Sequence, residues 1–331
     1  MNSVSNKRIS KANGAGKKVT IYDLAKHTGF SPGTVSRVLN NRDKVKPETR
    51  EAILKAAKEL DLKPQASVRT RQVAILSDPK FTDRVEGYAA TLTAHLSFAF
   101  SKRKIGIVLP SDPFEQLPGL FLDGIVAVTY DTKMLEFLKE FENRLPIVYM
   151  DKFEVTAKQY RVFSDHYNSG YLAAKHFIER GKKKLACFGG EGPGFAERLR
   201  GYRAAIAEAG LELDERLLVP AGSGNNSAIV TRIARSGADC IYVPGTSLQA
   251  MECIHLLTYV MGMRVPEDIS IIGGENEGIS ELIIPPLTAI EEPLKEMAET
   301  AVTMLDELTQ GQSVETHSVK MPVRLIERNS V

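Results

Sequence analysis

The sequence TIYDLAKHTGFSPGTVSRVLN, residues 20–40, leaves little choice of local fold: two short helices joined by a sharp turn. Thr20 can cap the first helix, and Asp23, three residues on, completes an acidic version of the capping box. That helix runs to about His27, and Gly29 supplies the sharp turn that a bulkier residue resists. Ser31 can cap the second helix, with Pro32 at its first position, where the missing N–H costs nothing. Val35, Val38 and Leu39 share one face and can pack on Leu24 and Ala25. Pro32, Gly33, Ser36 and Arg37 then face outward, as a helix docked in a DNA major groove requires. VKPETREAILKAAKEL follows as a third helical pattern, with Ile53, Ala57 and Leu60 on its inner face.

Charge separates this head from the rest of the chain. Residues 1–71 hold 16 lysines and arginines against 6 acids, a net of +10. The whole 331-residue chain is only +2, so residues 72–331 carry −8. A basic module joined to an acidic body is the electrostatic footprint of nucleic-acid binding. MNSVSNKRISKANGAGKK, residues 1–18, reads as a basic disordered arm adding phosphate contacts; it has no apolar core of the kind a secretory signal needs.

From residue 72 onward, strand-like runs alternate with amphipathic helices. The strand candidates are 73–76, 104–110, 124–128, 146–150, 184–189, 240–244 and 269–273. Helical patterns cover 134–144, 167–180, 196–209, 247–261 and 293–309. This alternation predicts an α/β body with parallel sheets covered on both faces, and ligands of such sheets bind at the carboxyl ends of the strands.

Several chemistries are disfavoured. Gly189-Gly190-Glu191-Gly192-Pro193-Gly194 follows a strand but lacks the spacing of a phosphate or dinucleotide cradle. His27, His95, His166, His176, His255 and His317 show no H-E-x-x-H spacing, and there is no Gly-x-Ser-x-Gly elbow, so no enzyme, metal or cofactor is assigned. Cys187, Cys240 and Cys253 lie in apolar patterns, fitting buried thiols of a reducing cytoplasm. No apolar run approaches membrane-spanning length.

The head together with LDGIVAV (122–128), LPIVYMD (145–151), VFSDHYNSGYLAAKHFIERGKKKLACFGG (162–190), ERLRGYRAAIAEAG (197–210), VPEDISIIG (265–273), PPLTAIEEP (285–293) and VRLIERNS (323–330) resembles the lactose/galactose repressor (LacI/GalR) family along nearly the whole chain. The resemblance implies a basic arm (1–18), a helix-turn-helix domain (19–63), a hinge (64–72) and a two-lobed periplasmic-binding-protein-like body (73–331) for effector binding and dimerisation. It implies a cytoplasmic transcriptional repressor, working as a homodimer on double-stranded operator DNA and modulated by a small molecule, a sugar or related metabolite, in the inter-lobe cleft.

By the same resemblance Thr20, Tyr22, Ser31, Thr34, Ser36, Asn40 and Thr49 match positions near backbone phosphates, and Arg37 matches one that reads bases. Pro32 and Gly33 fill the other two base-reading positions, where only fit and backbone approach can discriminate. In the hinge, PQASVRTR (64–71) stands against a pattern Pro-Asn-x-x-Ala-Arg-x-Leu. Arg69 agrees with that pattern, while Arg71 replaces an apolar wedge with a cation suited to a narrow minor groove. In the cleft, Arg198, in R-x-x-G-Y with Gly201 and Tyr202, matches an effector-binding arginine. Glu275 stands where an aspartate is usual, Thr246-Ser247 where Asn-Asp is common, and Asp165 near the inter-lobe crossing, where it can also cap the helix after it. These departures leave open an alternative: a constitutive DNA-binding regulator whose cleft has lost ligand function.

Overall fold

The computed structural model describes residues 20–39, 45–60, 71–78, 87–153, 156, 158–190, 192–220, 225–244, 247–275 and 278–331. The chain divides into two compact units, Met1–Thr70 and Arg71–Val331.

In the first unit three helices, α1 (Ile21–Thr28), α2 (Pro32–Leu39) and α3 (Pro47–Glu59), enclose one small core. Leu24, Val35, Val38, Leu39, Ile53, Ala56 and Ala57 are buried in it, with Phe30, Val45 and Leu60 packed at its edge. The two helix starts form as the residue types demand. The Thr20 hydroxyl accepts the Asp23 N–H while the Asp23 carboxylate accepts the Thr20 N–H at 2.9 Å, and Gly29 sits at φ 74°. Ser31 Oγ accepts the Thr34 N–H at 3.1 Å.

The second unit holds two six-stranded sheets. In chain order its elements are β1 (Gln72–Ser77), α4 (Tyr88–Lys102), β2 (Gly106–Val108), α5 (Pro113–Gln116), β3 (Gly124–Val128), α6 (Thr132–Leu138), β4 (Ile147–Met150), β5 (Tyr160–Ser164), α7 (His166–Glu179), β6 (Leu185–Phe188), α8 (Gly192–Glu208), β7 (Leu218–Val219), α9 (Asn226–Arg235), β8 (Cys240–Val243), α10 (Ser247–His255), β9 (Ser270–Gly274), β10 (Thr288–Glu291), α11 (Leu294–Thr309), β11 (Ser318–Met321) and β12 (Arg324–Ile326). The first sheet runs β11-β5-β4-β3-β1-β2, all parallel. The second runs β12-β10-β9-β8-β6-β7, parallel except that β12 pairs antiparallel with β10.

Each sheet is buried on both faces, which is why its strands are continuous apolar runs. Val73, Ile75, Val126 and Val128 enter one core of the first lobe, and Ala74, Leu76, Ile125 and Ala127 enter the other. In the second lobe Ala186, Ile241 and Ile271 face one core, and Leu185, Cys187, Tyr242 and Ile272 the opposite one. The three cysteines are free and buried.

Three crossovers join the lobes. The chain leaves β5 in the first sheet and α7 packs Ala173, Ala174 and Phe177 into the second lobe. It leaves β10 in the second sheet and α11 packs Met297, Ala301, Val302 and Leu305 against the first. It then passes from β11 to β12. The sequence pattern anticipates most central strands to within two residues, but not β5, β7, β10, β11 or β12. Those are short edge strands or strands beside a crossover, with too little alternation to stand out.

Among the described glycines, the tightest backbone approach is between α7 and α8. A Cβ added at Gly170 would lie 1.8 Å from the Arg198 carbonyl oxygen, and one at Gly201 would lie 1.9 Å from that of Tyr167. Backbone therefore rides on backbone, and no side-chain rotation can relieve an added methyl. Gly170→Ala is expected to destabilise the body by about 3 kcal/mol or more, read as a loss of several degrees in Tm. Gly119→Ala, where the methyl meets nothing within 4 Å, should leave Tm nearly unchanged.

Candidate nucleic-acid interface and inter-lobe cleft

In the head, α2 divides its residues cleanly. Val35, Val38 and Leu39 are buried against α1 and α3, while Pro32, Gly33 and Arg37 are exposed and Ser36 is half-buried. The outward residues are those the sequence assigns to the groove, with Arg37 in the last turn of α2. Tyr22 is 73% exposed on α1, and Thr34 and Thr49 are half-buried on α2 and α3. Thr20 and Ser31 carry a second duty. The Thr20 hydroxyl donates to Asp23 at 2.7 Å and Ser31 Oγ shares a 2.9 Å hydrogen bond with Thr34, so each side chain is oriented by its helix start. Asn40 and Arg69 lie outside the described residues, as does residue 246. Arg71 belongs to the second unit, where its guanidinium pairs with Asp306 and lies 3.2 Å from Thr309 Oγ1 on α11.

In the body, the cleft gathers side chains that follow the carboxyl ends of strands. Asp151 follows β4, Tyr130 follows β3 and Glu292 follows β10. His166 opens α7, just beyond β5, and Arg198 projects from α8. Arg198 is paired with Glu292, and both are largely buried, at 14% and 17% exposure. Burial alone would pull the guanidinium's pKa down; the Glu292 carboxylate beside it outweighs that and holds it above its ordinary value.

His166 lies between two carboxylates, with Nε2 3.3 Å from Asp151 Oδ1 and Nδ1 4.0 Å from Glu292 Oε1. The Phe153 ring stacks on it at 5.5 Å between centroids. Asp151 is wholly buried and accepts the Ser164 N–H at 2.9 Å. Burial pushes its carboxyl up, but His166, Tyr88 and the Ser164 N–H together hold it below the usual carboxylate value. The phenols of Tyr88 and Tyr130 are driven well above theirs, by burial first and by the Asp151 charge second.

The remaining sequence-selected residues make other contacts. Asp165 caps α7, accepting the Asn168 N–H at 3.1 Å, and pairs with Lys320 at 2.8 Å. Glu275, just after β9, accepts from Arg328 at 2.7 Å, and Arg328 also donates to the Leu287 carbonyl at 2.6 Å. Ser247 opens α10. Sequence reasoning selected Arg198 but passed over Asp151, His166, Glu292, Tyr88 and Tyr130. The available signal was positional: Tyr130, Asp151 and Glu292 are polar residues at or just beyond the carboxyl ends of apolar runs, where ligands of open α/β sheets bind.

Comparison with known proteins follows the same division. Residues 20–65 match the description "Bacterial regulatory proteins, lacI family", and residues 174–331 match a periplasmic binding protein-like domain. The chain is 30% identical over 344 residues to the HTH-type transcriptional repressor PurR of Erwinia tasmaniensis, covering 94% of this chain and 96% of that one. It is 28% identical to PurR of Photobacterium profundum, covering 94% and 98%. Among solved structures it is similar to a transcriptional regulator CelR–cellobiose complex, with 26% identity, 95% and 100% coverage and a TM-score of 0.69.

A depressed carboxyl stabilises the fold above its unfolded pKa, and that contribution drains away as pH falls through the folded value. Asp151→Asn is therefore expected to lower Tm at neutral pH and to flatten the acid limb of a Tm-against-pH curve below about pH 4. An acid limb identical to the wild type's would remove Asp151 from that linkage.

Proposed function

The chain belongs to the lacI family of bacterial regulatory proteins, and we propose that it is a sequence-specific transcriptional repressor acting as a homodimer on pseudo-palindromic operator DNA. One observation carries this reading: α2 buries Val35, Val38 and Leu39 and leaves Pro32, Gly33 and Arg37 on an exposed face. A helix anchored in this way can lie in a major groove with its own fold intact. Arg37 is the base reader, its guanidinium matched to guanine O6 and N7. Pro32 and Gly33 contribute fit alone. Thr20, Tyr22, Ser31, Thr34, Ser36, Asn40 and Thr49 hold the head to phosphates. Arg69 and Arg71 are the hinge cations, and Arg71 reaches DNA only by giving up Asp306.

Exposed apolar residues of the body support association of two copies. Met251, Tyr259, Val260, Leu282 and Ile284 are exposed on segments whose neighbours Cys253, Leu257, Ile283 and Leu287 belong to one core of the second lobe. In this reading these residues belong to the face on which two copies meet. A regulator working on chromosomal DNA is cytoplasmic and needs no catalytic group. No helix among the described residues is long and apolar enough to cross a membrane.

The cleft is the effector site in this reading, with Arg198, Glu275, Ser247 and Asp165 around it and a sugar or related metabolite as its ligand class. Effector binding would shift the placement of the two first lobes in the dimer, and with it the reach of the two heads, a coupling of about 1–3 kcal/mol in allosteric proteins. A specific observation keeps the second reading in play. Arg198 is already neutralised by Glu292, and Glu275 by Arg328, so an effector must compete with internal partners. A constitutive regulator whose cleft has lost ligand function needs no such competition.

Selection from a random duplex pool tests the proposal. The expected winner is a palindrome bound at least about a thousandfold more tightly than scrambled DNA at the same salt. Enrichment of no sequence would overturn it. Arg37→Ala is expected to weaken operator binding by about 10- to 100-fold while barely changing affinity for random DNA. Equal losses on both duplexes would make Arg37 a phosphate contact.

A further inference from the structure

The cleft cluster has chemistry that DNA recognition does not use. One ligand atom each from Asp151, His166 and Glu292 lies within 4.8 Å of the other two. Asp151 is fully buried and His166 is 4% exposed, yet Asp151 Oδ2, both His166 ring nitrogens and Glu292 Oε2 make no hydrogen bond. Buried polar atoms left unsatisfied cost free energy, and four of them converging in one place call for a partner.

The orientation of each group is already supplied by the protein. Asp151 Oδ1 accepts the Ser164 N–H and lies 3.3 Å from His166 Nε2, with the Tyr88 hydroxyl beside the same carboxylate. One oxygen of Glu292 is taken by Arg198, and the other is open. The imidazole plane is held by stacking on Phe153. In both carboxylates the oxygen nearest the imidazole is the one already oriented by the protein, and with a ring fixed by packing this gives a ligand set its outer shell.

We propose that Asp151, His166 and Glu292 form a divalent transition-metal site between the two lobes, with Zn²⁺ as the ion that fits. One nitrogen and two carboxylate oxygens suit Zn²⁺ and, less tightly, Mn²⁺. Tetrahedral Zn²⁺ holds its ligand atoms about 3.4 Å apart, so the set closes with roughly an ångström of side-chain movement. Tyr88 and Tyr130 are the phenols that interact with the same acids, and three protein ligands would leave a fourth for water or a hydroxyl of a cleft ligand. Because Asp151 follows a strand of the first sheet and Glu292 one of the second, the ion would tie the lobes together. The inference concerns the body alone and stands independently of DNA recognition.

The test strips the full-length protein with EDTA and titrates it with Zn²⁺ by calorimetry, without DNA. One ion per chain is expected, with affinity at least tenfold weaker in Asp151→Asn and in Glu292→Gln. Absence of binding, or equal affinity in wild type and both variants, overturns the site. To keep the test independent of how either substitution affects folding, Co²⁺ is added to the wild type in parallel. The expected spectrum has d–d bands of a tetrahedral or five-coordinate ion and no thiolate charge-transfer band, because Cys187, Cys240 and Cys253 take no part. A Co²⁺ spectrum matching the free aqueous ion, or one with thiolate charge transfer, also overturns the proposal.

Discussion

The contact on which the body's cleft depends is the one between α7 and α8 at Gly170 and Gly201. Two helices normally keep their axes apart by the thickness of their side chains. Here the Arg198 and Tyr167 carbonyls occupy the space where methyl groups would project. The consequence is positional. The start of α7, with His166, and the second turn of α8, near Gly194 and Arg198, are brought together, so that a Cβ at Gly194 would lie 3.3 Å from Arg198 Nη1 and 3.6 Å from His166 Nε2. Arg198 can then meet Glu292 arriving from β10, and His166 can meet Asp151 arriving from β4. Wider spacing of the helices would separate the charges that share this buried site.

Those charges sit where the lobes exchange chain. Asp165 and His166 mark the first crossover, and Glu292 the second. A buried ion pair is weak evidence of stability, because desolvation offsets much of its Coulomb energy. Its effect here is to specify geometry: an unpaired Arg198 or Glu292 in that position would be strongly unfavourable, so the lobe arrangement that pairs them is selected. The head is governed by simpler physics. Three short helices share one apolar core, and side-chain caps at Thr20 and Ser31 satisfy N–H groups that so small a structure cannot leave open.

The head was legible residue by residue because its signals are local. The Thr20–Asp23 capping box, the left-handed Gly29 and the buried stripe of Val35, Val38 and Leu39 need only neighbours within four positions. The central strands of both sheets were legible because burial on two faces writes an unbroken apolar run. Strands β10 and β12 were not, since TAIE and RLI owe their pairing to partners 33 to 37 residues away. Asp165, a candidate both for the cleft and for a helix cap, caps α7. Arg198 was selected as a cleft cation, but the local sequence names no partner for it. Glu197 takes Arg200, and Arg198 reaches across 94 residues to Glu292.

The amino-acid sequence by itself determined the helices of the head and the central strands of both sheets, which face of α2 stays bare, and that a basic head precedes an acidic α/β body. Caps, periodicity and charge are properties of short stretches. Only the tertiary structure decided why Gly170 and Gly201 lack side chains, and which acid neutralises Arg198. It also decided that Asp151, His166 and Glu292 share one buried site. Those facts come from distances between elements far apart in the chain, set by two sheets and three crossovers packing at once, and no local pattern encodes them.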